Sequence, residues 1–320
     1  MSDLRSRPNT KKNPDKKLPI LVGPTGVGKS EVAYRLARRL KAEIISADAF
    51  QVYRGMEIGT AQPPLEHQKK VVHHLVGVRK PSEPWNAVEF AKAAQEILDE
   101  GREAGKSFLL VGGAGFYIKT LVEGEPPGTA PSAGTREKVA EKVKVLGIAK
   151  AHEWLKERDP LAAKRIHVND TTRIRRALEK TFTTAQAFSS SPMGCKPLGK
   201  NNVIFLGLER SREKLDEILR ARSRSMWDNG LLDETKHLSR SGIPETHTLW
   251  GAIGYAEGAA FLRGEMKREE ALERIFRRTR QYAKRQWTWF KHQHAVEWIN
   301  LDDFPDILSV VKILEQKIVD

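Results

Sequence analysis

The sequence predicts an α/β protein: a parallel-sheet core flanked by helices, with a helical insertion domain. Three observations carry that expectation. Short apolar runs end in glycine, at residues 18–22 before Gly23 and at 108–111 before Gly112 and Gly113, the pattern of strands buried on both faces. Between the first run and a second strand at 42–46, Val32, Ala33, Leu36, Ala37 and Leu40 recur at helical spacing, so strand, loop, helix and strand form a βαβ unit. After residue 124 the composition shifts abruptly, through Pro126, Pro127, Gly128 and Pro131, into a long helical stretch.

In order, residues 1–17 carry six Lys/Arg and two Asp and are broken by Pro8 and Pro14, which predicts a disordered basic tail. Residues 18–124 are the first part of the core. A helical insertion is expected over 125–202, helical from 135 to 182 and rich in Ser, Thr, Pro, Gly and Lys from 183. The core resumes with a strand at 203–206 and continues through charge-dense helices to 320.

Composition bounds the function. The 320 residues hold 55 Lys/Arg against 41 Asp/Glu, a net charge of +14, which argues for a polyanionic partner. A single cysteine, Cys195, excludes an internal disulfide framework and a cysteine-based zinc site. Neither a bilayer-spanning apolar run nor a signal-peptide pattern is present, so the expected location is the cytoplasm, without a membrane partner.

Residues 23–30 read GPTGVGKS, the full G-x-x-x-x-G-K-[ST] phosphate loop, or P-loop. Gly26 and Gly28 let the backbone curl until successive N–H groups face an anion, with Gly23, Pro24, Thr25 and Val27 completing the cradle. Lys29 brings a flexible charge, and the Ser30 hydroxyl suits Mg²⁺. The helix starting near Lys29 adds its positive end. A diphosphate or triphosphate is the expected ligand. Asp48 closes the second strand at the edge of the sheet where ligands bind, and reads as a metal ligand, a general base or a turn aspartate.

Taken together, GPTGVGKS, SADAFQVYRGMEIGTAQP, His73-His74-Leu75, LLVGGAGFYIKTLVEG from Leu109, DPLAAKRIHVND with RIRRALE, and RRTRQYAKRQWTWF from Arg277 resemble the tRNA dimethylallyltransferases, over about residues 18–300. The resemblance implies a P-loop NTPase-like core and dimethylallyl diphosphate as prenyl donor, with Mg²⁺. It implies transfer to the exocyclic amine of the adenosine 3′ of the anticodon in tRNA, giving N6-dimethylallyladenosine, by a monomer. Lys29 and Thr25 would then act at the diphosphate and the reacting centre. Asp48 would be the general base on an adenine flipped out of its stack. RNA contacts would come from Asp48, Ala49, Phe50 and Gln51, from Ala114, from Thr172, Arg173, Ile174, Arg175 and Arg176, and from Gly251, Ala252, Ile253, Gly254, Tyr255 and Ala256.

Charge agrees with an RNA partner: residues 125–202 hold fifteen Lys/Arg against eight Asp/Glu, and 263–291 ten against four. In the latter, Leu272, Ile275, Phe276, Thr279, Ala283, Trp287 and Phe290 form one helical face, with Arg274, Arg277, Arg278, Gln281 and Arg285 largely opposite. Arg280 and Lys284 lie beside that face, with RNA phosphate or the prenyl diphosphate as alternative partners. The sequence departs from the family pattern at Ala49, Ala114, Val168, Gly251, Ala252 and Ala256, each the loss of a polar or restricting side chain. A related enzyme class prenylates free AMP; it shares the loop and Asp48 but has no need of the basic insertion.

Overall fold

The computed structural model describes residues 17–124, 133–184, 197–244 and 247–320. The basic tail expected at 1–17, apart from Lys17, lies outside the described residues, as do Cys195 and most of the two Pro-, Gly- and Ser-rich stretches bounding the insertion. Two compact units make up the chain, one of Met1–Val122 with Leu198–Asp320, the other of Glu123–Pro197.

The first unit is built on six parallel strands, β1 (Leu18–Val22), β2 (Ala42–Ala47), β3 (His73–His74), β4 (Ser107–Gly112), β5 (Val203–Glu209) and β6 (Val296–Asn300), in the order β3-β2-β4-β1-β5-β6. All five pairings are parallel. β1 is buried along its whole length, as a central strand covered on both faces must be. Helix α1 (Lys29–Leu40) leads from β1 to β2, α2 (Leu65–Lys70) precedes β3, α3 (Ala87–Glu103) precedes β4, and α4 (Gly115–Glu123) follows it. On one face of the sheet Val32, Leu36 and Ala37 of α1 meet Leu21, Leu109, Leu206 and Leu208, with the chain's last helix adding Val311 and Leu314.

The second unit contains α5 (Ala133–Leu146), α6 (Ile148–Arg158), α7 (Pro160–Arg165) and α8 (Thr171–Thr184). Gly147, at φ 76°, separates the first two. Asp159 and Pro160 separate the next pair: the Asp159 carboxylate accepts the Ala162 N–H at 2.9 Å, and the proline takes the first helical position, where its missing N–H costs nothing. Val139, Val143, Leu155, Ile174 and Leu178 form this unit's own core.

After β5 come α9 (Arg212–Met226), a wide turn at Trp227–Leu231 where Asn229 and Gly230 leave helical geometry, α10 (Leu232–Arg240), α11 (Tyr255–Leu262), α12 (Arg268–Gln293) and, beyond β6, α13 (Ile307–Val319). Val52, Tyr53 and Met56 from the segment after β2 pack with Trp227, Leu231, Leu249, Tyr255 and Ile275 in a second core.

Strand register sets the level of the site. Val22 and Ala47 both align with Gly112, so the chain leaves β1, β2 and β4 at one height. A Cβ on Gly112 would lie 2.1 Å from the Ala47 carbonyl oxygen, which is backbone and has no room to give. Gly112→Ala should therefore lower stability by about 3 kcal/mol or more in a urea titration.

Candidate active site

β1 ends in the Gly23–Ser30 loop, and the sequence reason for its shape is visible in the backbone: Gly23, Gly26 and Gly28 have φ of 148°, 82° and 109°. Gly26 also admits α9, since its missing Cβ would stand 2.5 Å from Leu219 Cδ2. One turn further along that helix, Arg222 reaches the loop, its Nη1 donating to Thr25 Oγ1 at 3.3 Å. Lys29 folds back over the loop, Nζ donating to the Gly23 and Pro24 carbonyls at 2.8 Å each. Ser30 stands exposed in the first turn of α1.

Two supports hold this loop from outside. The buried Gln286 of α12 accepts the Thr25 N–H at 2.8 Å through Oε1 and donates Nε2 to the Gly113 carbonyl at 3.0 Å, bridging the loop to the end of β4. Arg210, just past β5, donates Nε to the Val27 carbonyl at 3.2 Å and Nη1 to Asp302 at 2.7 Å. Against its own desolvation, the Ser211 N–H and Arg210 hold the Asp302 carboxyl down at about 2.

Asp48 sits just beyond β2. Its Oδ1 accepts the Phe50 N–H at 2.9 Å and the Gln51 N–H at 3.2 Å, an Asx turn that fixes the carboxylate and leaves its second oxygen outside these bonds. The charge of Asp48 is felt by Lys29, Arg222, Tyr117 of α4 and Tyr282 of α12, which places those groups around it. Burial pushes both phenols upward, with further negative charge adding to the rise, so each stays a hydroxyl donor at neutral pH. Desolvation brings the Lys29 ammonium from 10.5 down to about 7, helped by the like charge of Arg222 and opposed by Asp48. Desolvation also lowers Arg222.

The sign of the Lys29 shift gives a pH expectation. Its charged form is disfavoured in the free fold, so an arriving polyanion restores the proton. Binding of inorganic diphosphate at pH 8 should take up a proton at Lys29, with little uptake at pH 6, and affinity should fall as pH rises above 7. Calorimetry in buffers of different ionisation enthalpy measures this uptake, and Lys29→Arg, which stays charged, isolates the lysine's share. Equal proton uptake in both proteins at pH 8 would remove the shift.

Of the other site residues expected from the sequence, Ala49, Phe50, Gln51 and Ala114 lie with Asp48 at the C-terminal edge of the sheet, the Ala114 N–H donating to the Ala47 carbonyl at 3.2 Å. Gln51 is committed internally: Oε1 accepts from Ser46 Oγ at 3.0 Å and Nε2 donates to the Thr60 and Ala61 carbonyls at 3.2 and 3.0 Å. Gly251–Ala256 runs from a single 3-10 turn into α11, held by the buried Glu257, which accepts from Gly254 N at 2.9 Å and Arg278 Nη1 at 2.5 Å. Arg278 also donates to the Gly251 carbonyl, so it faces this segment rather than solvent. Ala252, Gly254 and Tyr255 are buried there, and Gly251 is exposed. In the insertion, Thr172, Arg173, Arg175 and Arg176 are exposed on α8, while the Ile174 side chain is in that unit's core. Arg280 pairs with Asp216 of α9 at 3.2 Å, and Lys284 and Arg285 are exposed. His74 pairs with Glu43 at 2.6 Å at the sheet edge, a structural contact.

Sequence reasoning missed Arg222, Gln286, Tyr117 and Tyr282. Of these, Gln286 and Tyr282 lie inside the RRTRQYAKRQ run but were masked by its charges.

A parallel sheet whose central strand opens into a glycine-rich loop, faced by two desolvated cations, defines a P-loop protein of NTPase-like fold. The family model described as IPP transferase matches residues 51–293, and one described as isopentenyl transferase matches 16–82. The chain is 36% identical to a tRNA dimethylallyltransferase of Geobacter sulfurreducens over 92% of its own length and 95% of the relative's, and 38% identical to tRNA dimethylallyltransferase 2 of Syntrophus aciditrophicus over 91% and 94%. Among solved structures it is similar to the tRNA isopentenylpyrophosphate transferase of Bacillus halodurans (TM-score 0.67, 34% identity, 95% and 97% covered). It is also similar to a eukaryotic dimethylallyltransferase acting on tRNA (TM-score 0.74, 25% identity, 95% and 80% covered). The chain belongs to the IPP transferase family.

Proposed function

We propose that this protein transfers a dimethylallyl group from dimethylallyl diphosphate to the exocyclic amine of the adenosine 3′ of a tRNA anticodon. The observation that carries the reading is the pair Lys29 and Arg222, two cations desolvated at the phosphate loop, bonded to carbonyls and a hydroxyl and, among the described residues, outside ion-pair distance of any carboxylate. Half-buried positive charge of that kind calls for an anion, and a diphosphate leaving group supplies it. Family membership and the +14 net charge support tRNA as acceptor.

In this reading the loop N–H groups and Lys29 bind the diphosphate, and Arg222 meets the negative charge that grows as the allylic carbon–oxygen bond breaks. The adenine amine attacks that carbon, and Asp48 accepts the amine proton through the oxygen its Asx turn leaves open. Thr25, held by Gln286 and Arg222, keeps the loop aligned. Arg173, Arg175 and Arg176, with Lys284 and Arg285, suit the RNA backbone. The family implies Mg²⁺, and the donors present suit it: the exposed Ser30 hydroxyl is a hard oxygen ligand, and Mg²⁺ at phosphates needs only one or two from protein. Bound there, Mg²⁺ would neutralise diphosphate charge.

No helix among the described residues is long and apolar enough to cross a membrane, and we place the reaction in the cytoplasm, carried out by a monomer. The test uses labelled dimethylallyl diphosphate, Mg²⁺ and a mixed bacterial tRNA pool, with AMP as parallel acceptor. Incorporation into tRNA alone supports the reading. Equal incorporation into AMP moves the protein to AMP prenylation, and none into either overturns the assignment.

A further inference from the structure

We propose that Glu234 is a positioning residue for this reaction: from α10 it fixes the loop at residues 56–62 and, through Gln51, the orientation of the Asp48 carboxylate. The inference rests on reading Asp48 as the base. Glu234 gathers three donors on one carboxylate, the Ile58 N–H at 2.6 Å on Oε1, and the Gly59 N–H at 3.0 Å with the Tyr255 hydroxyl at 2.8 Å on Oε2. Burial and the Glu234 charge push the Tyr255 phenol far above its ordinary value, so it donates at every working pH. The approach is close enough to demand glycine: a Cβ on Gly59 would stand 2.5 Å from the Tyr255 ring.

The loop held in this way presents two carbonyls, those of Thr60 and Ala61, to Gln51 Nε2. Gln62 returns from the same loop, donating Nε2 to the Gln51 and Tyr53 carbonyls at 2.9 and 2.8 Å. Gln51 is thereby gripped at its side chain and its carbonyl, and its own N–H, with that of Phe50, holds Asp48 Oδ1. The path from Glu234 to the base thus runs through hydrogen bonds joined by the backbone of residues 58–61 and by Gln51 itself, outside the phosphate loop. Loosening this chain should therefore misalign the Asp48 carboxylate without weakening diphosphate binding. The other groups facing Asp48 are Lys29, Arg222, Tyr117 and Tyr282, and none of them is bonded to Glu234.

The test is the split between kcat and KM in Glu234→Gln, which keeps the volume and places an amide where donors converge. A loss of about 10- to 100-fold in kcat is expected, with KM for dimethylallyl diphosphate within about twofold. Gln51→Met cuts the same path further along, and the double variant should then lose no more in kcat than the worse single one. Should Glu234→Gln fail to fold, Tyr255→Phe removes one donor and keeps the carboxylate; a smaller loss of kcat at unchanged KM supports the proposal, and an unchanged kcat overturns it. A merely structural role would lower the melting temperature of Glu234→Gln while kcat per folded molecule stays in place, and that result overturns the proposal too. Asp48→Asn run alongside separates the two readings: if it is inactive and kcat of Glu234→Gln is unchanged, only Glu234 fails; if it is fully active, the base assignment fails and the proposal with it.

Discussion

Asp48→Asn is expected to lower kcat for prenyl transfer by about 10²- to 10⁴-fold, with dimethylallyl diphosphate bound nearly as well as before. The structure makes this substitution clean. Among the described residues only Oδ1 of Asp48 is used by the fold, accepting from Phe50 and Gln51, and an asparagine oxygen can accept the same two N–H groups. What asparagine cannot do is take the amine proton, so the loss should appear in the chemical step. Single-turnover transfer of labelled donor to an anticodon stem-loop reads the rate, and calorimetry with the diphosphate reads binding. An unchanged single-turnover rate would show that another group removes the proton.

Arg222→Met comes second, with an expected loss of about 10²- to 10³-fold in kcat and weaker diphosphate binding. Methionine keeps the apolar stem against its surroundings and removes the charge. Two effects should travel together, because Arg222 also depresses Lys29. With the like charge gone, the Lys29 ammonium holds its proton to higher pH, so proton uptake on diphosphate binding at pH 8 should shrink. A variant that loses activity but keeps the full uptake would mean that Arg222 acts on the substrate and not on the lysine.

Much of this arrangement could be read from the residues, for identifiable reasons. The phosphate loop demands positive φ and close approach, and only glycine meets those demands, so Gly23, Gly26 and Gly28 mark it. β1, β4 and β5 are apolar because both faces of a parallel sheet are covered. β6 escaped notice because it is an edge strand carrying Glu297, Trp298 and Asn300, half polar and without alternation. β3 is only His73–His74, too short for any pattern. Arg222 was illegible for a different reason. It stands two residues from Arg220 and two from Arg224, and no periodicity distinguishes a cation that faces the site from two that face elsewhere; the docking of α9 on Gly26 does. Arg278, read as one of the cations opposite the apolar face of its helix, pairs with the buried Glu257, a carboxylate whose need for a partner shows only once its burial is known. Gln51 shows the opposite case, a residue singled out for RNA whose amide is spent inside the fold.

The site's own unit leaves off at Val122 and resumes at Leu198, and backbone hydrogen bonds join the two places, Leu198 N–H to the Leu121 carbonyl and Gly199 N–H to the Val122 carbonyl, both at 3.0 Å. Departure and return are therefore neighbours, spliced like the ends of a circularly permuted chain. Lengthening, shortening or exchanging the seventy-odd residues between them alters loop-closure entropy only as a logarithm of length, and leaves the sheet, the phosphate loop and Asp48 to assemble on their own terms. In evolutionary language, the sheet with its phosphate loop and the inserted helices are separately editable.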